Sequence, residues 1–169
     1  TSTRKSTSFR AAVCAFAIMG CLVSGIAEAN VIQGPGAVAG GSNSVAVGDN
    51  AKSTGNKSVA VGNDAITLAT NENGIAIGNG AKAEGQQRPS VPHPASTIAI
   101  GAAATAKENG DIVIGRNATS TISMYHQQPG SGAVVMGAES ASYGSRGDVV
   151  IGAAAEANII RKGSKNDSD

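Results

Sequence analysis

The sequence predicts an all-β chain, a parallel solenoid of coils about 14 residues long, behind a helical N-terminal export segment. Three observations predict it. A short apolar triplet closed by glycine occurs seven times, each with a small residue three positions later: Val45-Ala46-Val47-Gly48 with Ala51, Val59-Ala60-Val61-Gly62 with Ala65, Ile75-Ala76-Ile77-Gly78 with Ala81, Ile98-Ala99-Ile100-Gly101 with Ala104, Ile112-Val113-Ile114-Gly115 with Ala118, Val134-Val135-Met136-Gly137 with Ser140, and Val149-Val150-Ile151-Gly152 with Ala155. The glycines are 14, 16, 23, 14, 22 and 15 residues apart, so the short steps set the period and the long ones hold insertions. A fixed period of this kind marks a stacked repeat. The composition agrees. There is no Trp, and past the leader no Phe, so the apolar content is Ala, Val and Ile, which suits a thin layer between close backbones rather than a thick core.

The chain is taken in order. Thr1 to Arg10 is polar and basic, Ala11 to Gly25 is apolar and uncharged, and Ala27-Glu28-Ala29 is an A-x-A site. That order is a secretory signal peptide over 1–29, cleaved between Ala29 and Asn30. The apolar run falls short of the roughly 20 residues a membrane span needs. Ile18-Met19-Gly20-Cys21 also resembles a lipoprotein cleavage box, but Met19 fits it badly and the apolar run continues beyond. Both cysteines, Cys14 and Cys21, lie in the leader, so the mature chain has no disulfide or thiolate chemistry. Residues 30–43 read as a lead-in or cap, 44–159 as the repeats and 160–169 as a polar tail. The formal net charge of +1 gives no reason to expect nucleic acid or an acidic membrane surface as partner.

Within one unit, Val45-Ala46-Val47 is a strand whose alternate side chains take opposite faces. Gly48-Asp49-Asn50 is turn chemistry. Ala51-Lys52-Ser53 is a second strand, with Ala51 and Ser53 inward and Lys52 in water, and Thr54 to Lys57 turns the chain back. The reading places Val45 and Val47 inside, opposite the small residues of the second strand. It places Ala46, Ala60, Ala76, Ala99, Val113, Val135 and Val150 outside, as an apolar seam for a homo-oligomer.

The units Asn43 to Gly48 and Lys57 to Gly62, each followed by Asn/Asp-Ala, resemble the head repeats of trimeric autotransporter adhesins, the YadA-like family. The resemblance spans about Asn43 to Ile159. It implies a left-handed parallel β-roll, a homotrimer, and display on the outer surface of a Gram-negative bacterium. It further implies attachment to host matrix proteins (collagen, fibronectin or laminin) and self-association. The matrix-binding positions it implies are Asn43, Ser44, Val45, Ala46, Val47, Gly48, Ser58, Val59, Ala60, Val61 and Gly62. Such proteins continue into a coiled-coil stalk and a membrane anchor of strands. The tail here has neither pattern, so surface attachment is expected only if an anchor is supplied; otherwise the head is secreted, as a fragment, a truncated product or a released head.

Two segments break the period. Gln86 to Ser96 holds Pro89, Pro92 and Pro94, which lack the donor a ladder needs. Thr121 to Gly132 holds Met124, Tyr125 and His126. Loops on a rigid scaffold carry recognition, so Tyr125 and His126 are the candidate ligand contacts; a neutral insertion is the competing reading. No catalytic constellation is found. His93 and His126 lie in separate insertions, and the acids sit at turns or exposed strand positions. No enzyme activity, metal or cofactor is expected. Two rival classes are a hexapeptide-like left-handed β-helix acyltransferase, against which the 14-residue step argues, and a secreted surface-binding solenoid, against which the mixed outward residues of the second strand argue.

Overall fold

In a computed structural model, the described residues, 29–86, 96–121, 132–143 and 147–158, form eight stacked coils of two short strands each. The first coil holds β1 (Val31–Gln33) and β2 (Val38–Ala39), the second β3 (Val45–Val47) and β4 (Lys52–Ser53). The third holds β5 (Val59–Val61) and β6 (Ile66–Thr67), the fourth β7 (Ile75–Ile77) and β8 (Lys82–Gln86). The fifth holds β9 (Ile98–Ile100) and β10 (Thr105–Glu108), the sixth β11 (Ile112–Ile114) and β12 (Thr119–Thr121). The seventh holds β13 (Val134–Met136) and β14 (Ala141–Tyr143), the eighth β15 (Val149–Ile151) and β16 (Glu156–Asn158). Odd strands make one eight-stranded sheet, even strands the other, and every pairing is parallel. This is the all-β parallel roll that the repeats predict. The first coil, set aside as a lead-in by the sequence reading, stacks in register: Val31 opposes Val45 and Gln33 opposes Val47.

Neither strand of a coil can satisfy its own backbone, so stacking does it. The ladder runs on round the corners. Gly48 N–H donates to Gln33 O at 2.7 Å, Asn50 N–H to Pro35 O at 2.8 Å and Lys57 N–H to Ser42 O at 2.8 Å. Gly48, Gly62, Gly78, Gly101, Gly115, Gly137 and Gly152 stack at one corner, all with positive φ. A Cβ on any of the first six would meet the carbonyl of the glycine one coil on, at 2.1–2.5 Å. Backbone therefore lies on backbone there, and only glycine fits.

The inside and outside of the odd strands are the reverse of the sequence reading. Ala46, Ala60, Ala76, Ala99, Val113 and Val135 are fully buried, and Val150 is 5 % exposed. They face into the coil and touch Ala51, Ala81, Ala104 and Ala118 and their like; none forms an outer seam. The physical reason is the size of the row that the facing sheet accommodates. Ser44, Ala46 and Gly48 are alternate residues on one face, all small, and they meet the equally small Ala51 and Ser53 of β4. Small residues fill most of the inner row, with Val only at Val113, Val135 and Val150, and the flanking Val, Ile and Met of each odd strand point outward and are half-buried or exposed. Ala99→Leu is expected to destabilise the roll by about 1–3 kcal/mol through overpacking, whereas Ile100→Leu, one residue away, should leave chemical unfolding of the isolated chain nearly unchanged.

A polar file runs beside this core. Ser58 Oγ donates to Gly55 O and lies 2.7 Å from Ser53 Oγ and 2.9 Å from Thr67 Oγ1. Before β7 the chain has Gly74, which offers no hydroxyl. There the corner is longer, and Asn71 folds its side chain over that glycine: a Cβ on Gly74 would lie 2.2 Å from Asn71 Nδ2. Asn71 donates to Ala83 O and Thr97 Oγ1 and accepts from Thr97 N–H at 3.2 Å. Before β11 stands Asp111, fully buried; its carboxylate accepts from Glu108 N–H and Ala133 N–H, each at 3.0 Å. A buried charge is tolerable only with such partners.

Candidate interaction surface

The outer face of the odd sheet is two columns of side chains fixed by the pairing register. One reads Val31, Val45, Val59, Ile75, Ile98, Ile112, Val134, Val149; the other reads Gln33, Val47, Val61, Ile77, Ile100, Ile114, Met136, Ile151. Fifteen of the sixteen are aliphatic or Met, so the face has no polar break beyond its first coil. Strands about 4.8 Å apart make it about 34 Å long. Stacked neighbours already cover part of each side chain, yet Ile77, Met136, Val149 and Ile151 remain exposed. The outer face of the even sheet differs. Val38, Lys52, Ile66, Lys82, Thr105, Thr119, Ala141 and Glu156 succeed one another there, a surface of mixed polar and apolar residues.

The two corners of the coil also differ. From the odd strand to the even one, four residues always intervene, as in Gly48 to Ala51. All length variation lies at the other corner. It is Thr54 to Ser58 between β4 and β5, the seven residues 68–74 between β6 and β7, and the sites where the two long insertions and the shorter 144–146 leave. The described ends that flank the insertions therefore lie along one edge of the roll. β8 runs to Gln86 and β12 to Thr121, so their roots belong to the sheet. Tyr143, 41 % exposed, stands at one such root and is the one tyrosine among the described residues.

The sequence-predicted site residues divide sharply. Tyr125 and His126 lie outside the described residues, as does the leader before Ala29. Asn30 is held at the first coil: its Oδ1 accepts from Ser44 N–H at 3.0 Å and its Nδ2 donates to Ala39 O at 3.2 Å. Of the matrix-binding positions, Ser44, Ala46, Ser58 and Ala60 are fully buried, so no ligand can reach them in the folded roll. Gly48 and Gly62 form the close-packed corner. Val45, Val47, Val59 and Val61 belong to the outer aliphatic columns, and Asn43 is exposed with φ 55°.

Sequence reasoning passed over Arg146-Gly147-Asp148, a cation and an anion on either side of a glycine. Arg146 lies outside the described residues. Asp148, in the same place before its strand as Asp111, is half-buried, and its Oδ2 accepts from Ser142 Oγ at 2.7 Å. The fold thus draws that carboxylate into the coil. Free Arg-Gly-Asp peptide is expected to leave attachment by the folded protein unchanged; a fall in attachment would mean that Asp148 is presented after all.

No group of three or more His, Cys, Asp or Glu able to hold a metal occurs among the described residues. Arg116 Nη2 and Glu139 Oε1 pair at 2.9 Å across neighbouring coils, both exposed. Such a surface pair contributes little. What the arrangement offers is surface: a continuous apolar face, a mixed polar and apolar face and a loop-bearing edge. No curated protein matches the chain. The YadA head domain repeat does match, in two copies, over residues 34–65, 69–87 and 95–118. Those residues hold β2 to β5 and β7 to β11, with the corner glycines from Gly48 to Gly115, so the glycine corner, the inward small residues and the aliphatic columns of that part are the repeat's own features. The matched part of the roll is thus built of repeats similar to those of the YadA head, an adhesin-like head family.

Proposed function

We propose that the roll is the adhesive head of a trimeric autotransporter. It assembles as a homotrimer through the outer face of the odd sheet, is exported to the cell surface of a Gram-negative bacterium, and attaches to host extracellular matrix (collagen, fibronectin or laminin) and to heads on other cells. The observation that carries this reading is the unbroken pair of aliphatic columns. Fifteen side chains, each with about 1 kcal/mol left to gain on full cover, amount to about 15 kcal/mol. Association costs about 4–15 kcal/mol. A stripe of alanines would not reach that range, whereas these columns do. A second copy offers the same face, flat and of the same length.

Three heads on one stalk convert weak contacts into firm attachment. The ligand surface in this reading is what trimer formation leaves open, the even sheet and the loop-bearing edge with Tyr125 and His126, rather than the buried serines and alanines of the repeat. The test is binding of the purified protein to immobilised collagen, fibronectin and laminin beside an albumin control, with its mass measured by sedimentation equilibrium. The expected result is a trimer that binds at least one matrix protein. A folded monomer would overturn the assembly, and a trimer that binds none would overturn the matrix role.

A further inference from the structure

Asn-x-Ser/Thr is the acceptor triplet for N-linked sugars in exported proteins. It occurs here at Asn56-Lys57-Ser58, Asn117-Ala118-Thr119 and Asn166-Asp167-Ser168. The last lies outside the described residues, and the other two have opposite settings. Asn56 sits in the variable corner with its Oδ1 accepting from Ser42 N–H at 3.1 Å. Ser58 is fully buried, and its hydroxyl is shared with Gly55 O, Ser53 and Thr67. A transferase could read that triplet only after opening the coil.

Asn117-Ala118-Thr119 spans the constant corner instead. Asn117 is exposed in the left-handed region, φ 56°. Its N–H donates to Ala102 O at 2.8 Å, and no hydrogen bond to its carboxamide is found among the described residues. Ala118 is buried between them, while Thr119 stands on the outer face of β12, half-buried. One coil earlier the same corner carries Ala102 and Ala103, both exposed and both small, so nothing bulky stands on that side of the carboxamide.

Asparagine is also a good left-handed residue, which alone accounts for its presence. The chain contains its own control for that explanation. Asn50 occupies the same corner with the same φ of 56° and is exposed, but the residue two beyond it is Lys52 rather than a hydroxyl.

We propose that Asn117 is an N-glycosylation acceptor. The donor is a sugar activated at its anomeric carbon by a phosphate leaving group, carried on a nucleotide or on a lipid. Asn117 Nδ2 forms the new C–N bond, the anomeric C–O bond breaks, its electron pair leaves with the phosphate, and the amide proton passes to a base on the transferase. The sugar would stand at the corner opposite the insertions.

The test is peptide mass mapping of the protein isolated from its own cell envelope, with Thr119→Ser, Thr119→Ala and Lys52→Thr made in the same cells. The expected result is a sugar on the Asn117 peptide, and none on those of Asn50 and Asn56. A single hexose indicates a nucleotide-activated donor, and an oligosaccharide a lipid-linked one. Thr119→Ser should keep the sugar, Thr119→Ala should lose it, and Lys52→Thr should gain one at Asn50. All three changes lie on an outer face, and circular dichroism verifies that the roll is intact. A bare Asn117 in the native protein, or a sugar that survives Thr119→Ala, would overturn the proposal.

Discussion

Gly101→Ala is expected to remove about 4 kcal/mol of stability, enough to unfold much of the roll. Two penalties coincide. Gly101 has φ +131°, a region essentially closed to residues with a side chain. Its Cβ would lie 2.4 Å from Gly115 O and 2.6 Å from Gly115 C. Those atoms belong to the backbone of the next coil, so relief requires parting two coils, and the ladder on both sides of the break is lost with them. Gly80→Ala is the matched control. Its φ of +64° is the ordinary left-handed region, and nothing lies within 4 Å of the added carbon, so about 1 kcal/mol is expected. Urea unfolding followed by circular dichroism distinguishes the two; equal losses would mean that coil-on-coil contact at the glycine corner is not what limits the site.

Ile100→Lys combined with Ile114→Lys is expected to turn the proposed trimer into a folded monomer. The two residues are neighbours in one outer column, on β9 and β11, near the middle of the odd sheet. In a free chain both are only half-buried, so each lysine can lift its ammonium into water while its stem lies along the column. In a trimer the face is covered and the charges would be buried without partners, repeated in every subunit. Sedimentation should therefore show the monomer mass while the β signature persists. A variant that remains trimeric would place the interface elsewhere. A variant that unfolds outright would mean that the coil has no stability of its own, and the milder Ile100→Ser with Ile114→Ser then tests the same face at lower cost to the chain.

The repeat, its period and its corners were legible in the sequence because each rests on local chemistry. Glycine closes the odd strand, Asn, Asp or Gly turns the corner in five of the eight coils, and a small residue follows three places on from the closing glycine. Which side of the odd strand faces in was not legible from Val45-Ala46-Val47 alone, since all three are apolar and alternation defines two faces without naming either. Which row of side chains the facing sheet accommodates decides it, and that is a tertiary quantity. One signal did exist. Ser44 and Ala46 share a face, and a row of Ser, Ala and Gly matches Ala51 and Ser53 in size better than a row of valines does. The role of Asn71 had no signal of that kind. Its partner Gly74 is three residues away, and only the stacked coil shows that a missing side chain at one position is replaced by a folded-back one from the other. The same holds for Asp148, whose neighbours suggest a displayed charge until Ser142 is seen beside it.

The confinement of every length change to one corner divides labour within the coil. The constant corner sets the vertical pitch and keeps the columns aligned, so a residue added there would shift each later strand by one and turn its faces over. At the other corner added chain only lengthens a closed excursion, and each doubling costs about 0.6 kcal/mol. The architecture is thus a ruler with a free margin: its graduations are immutable, while new text can be written along the margin, coil by coil, without disturbing the measure.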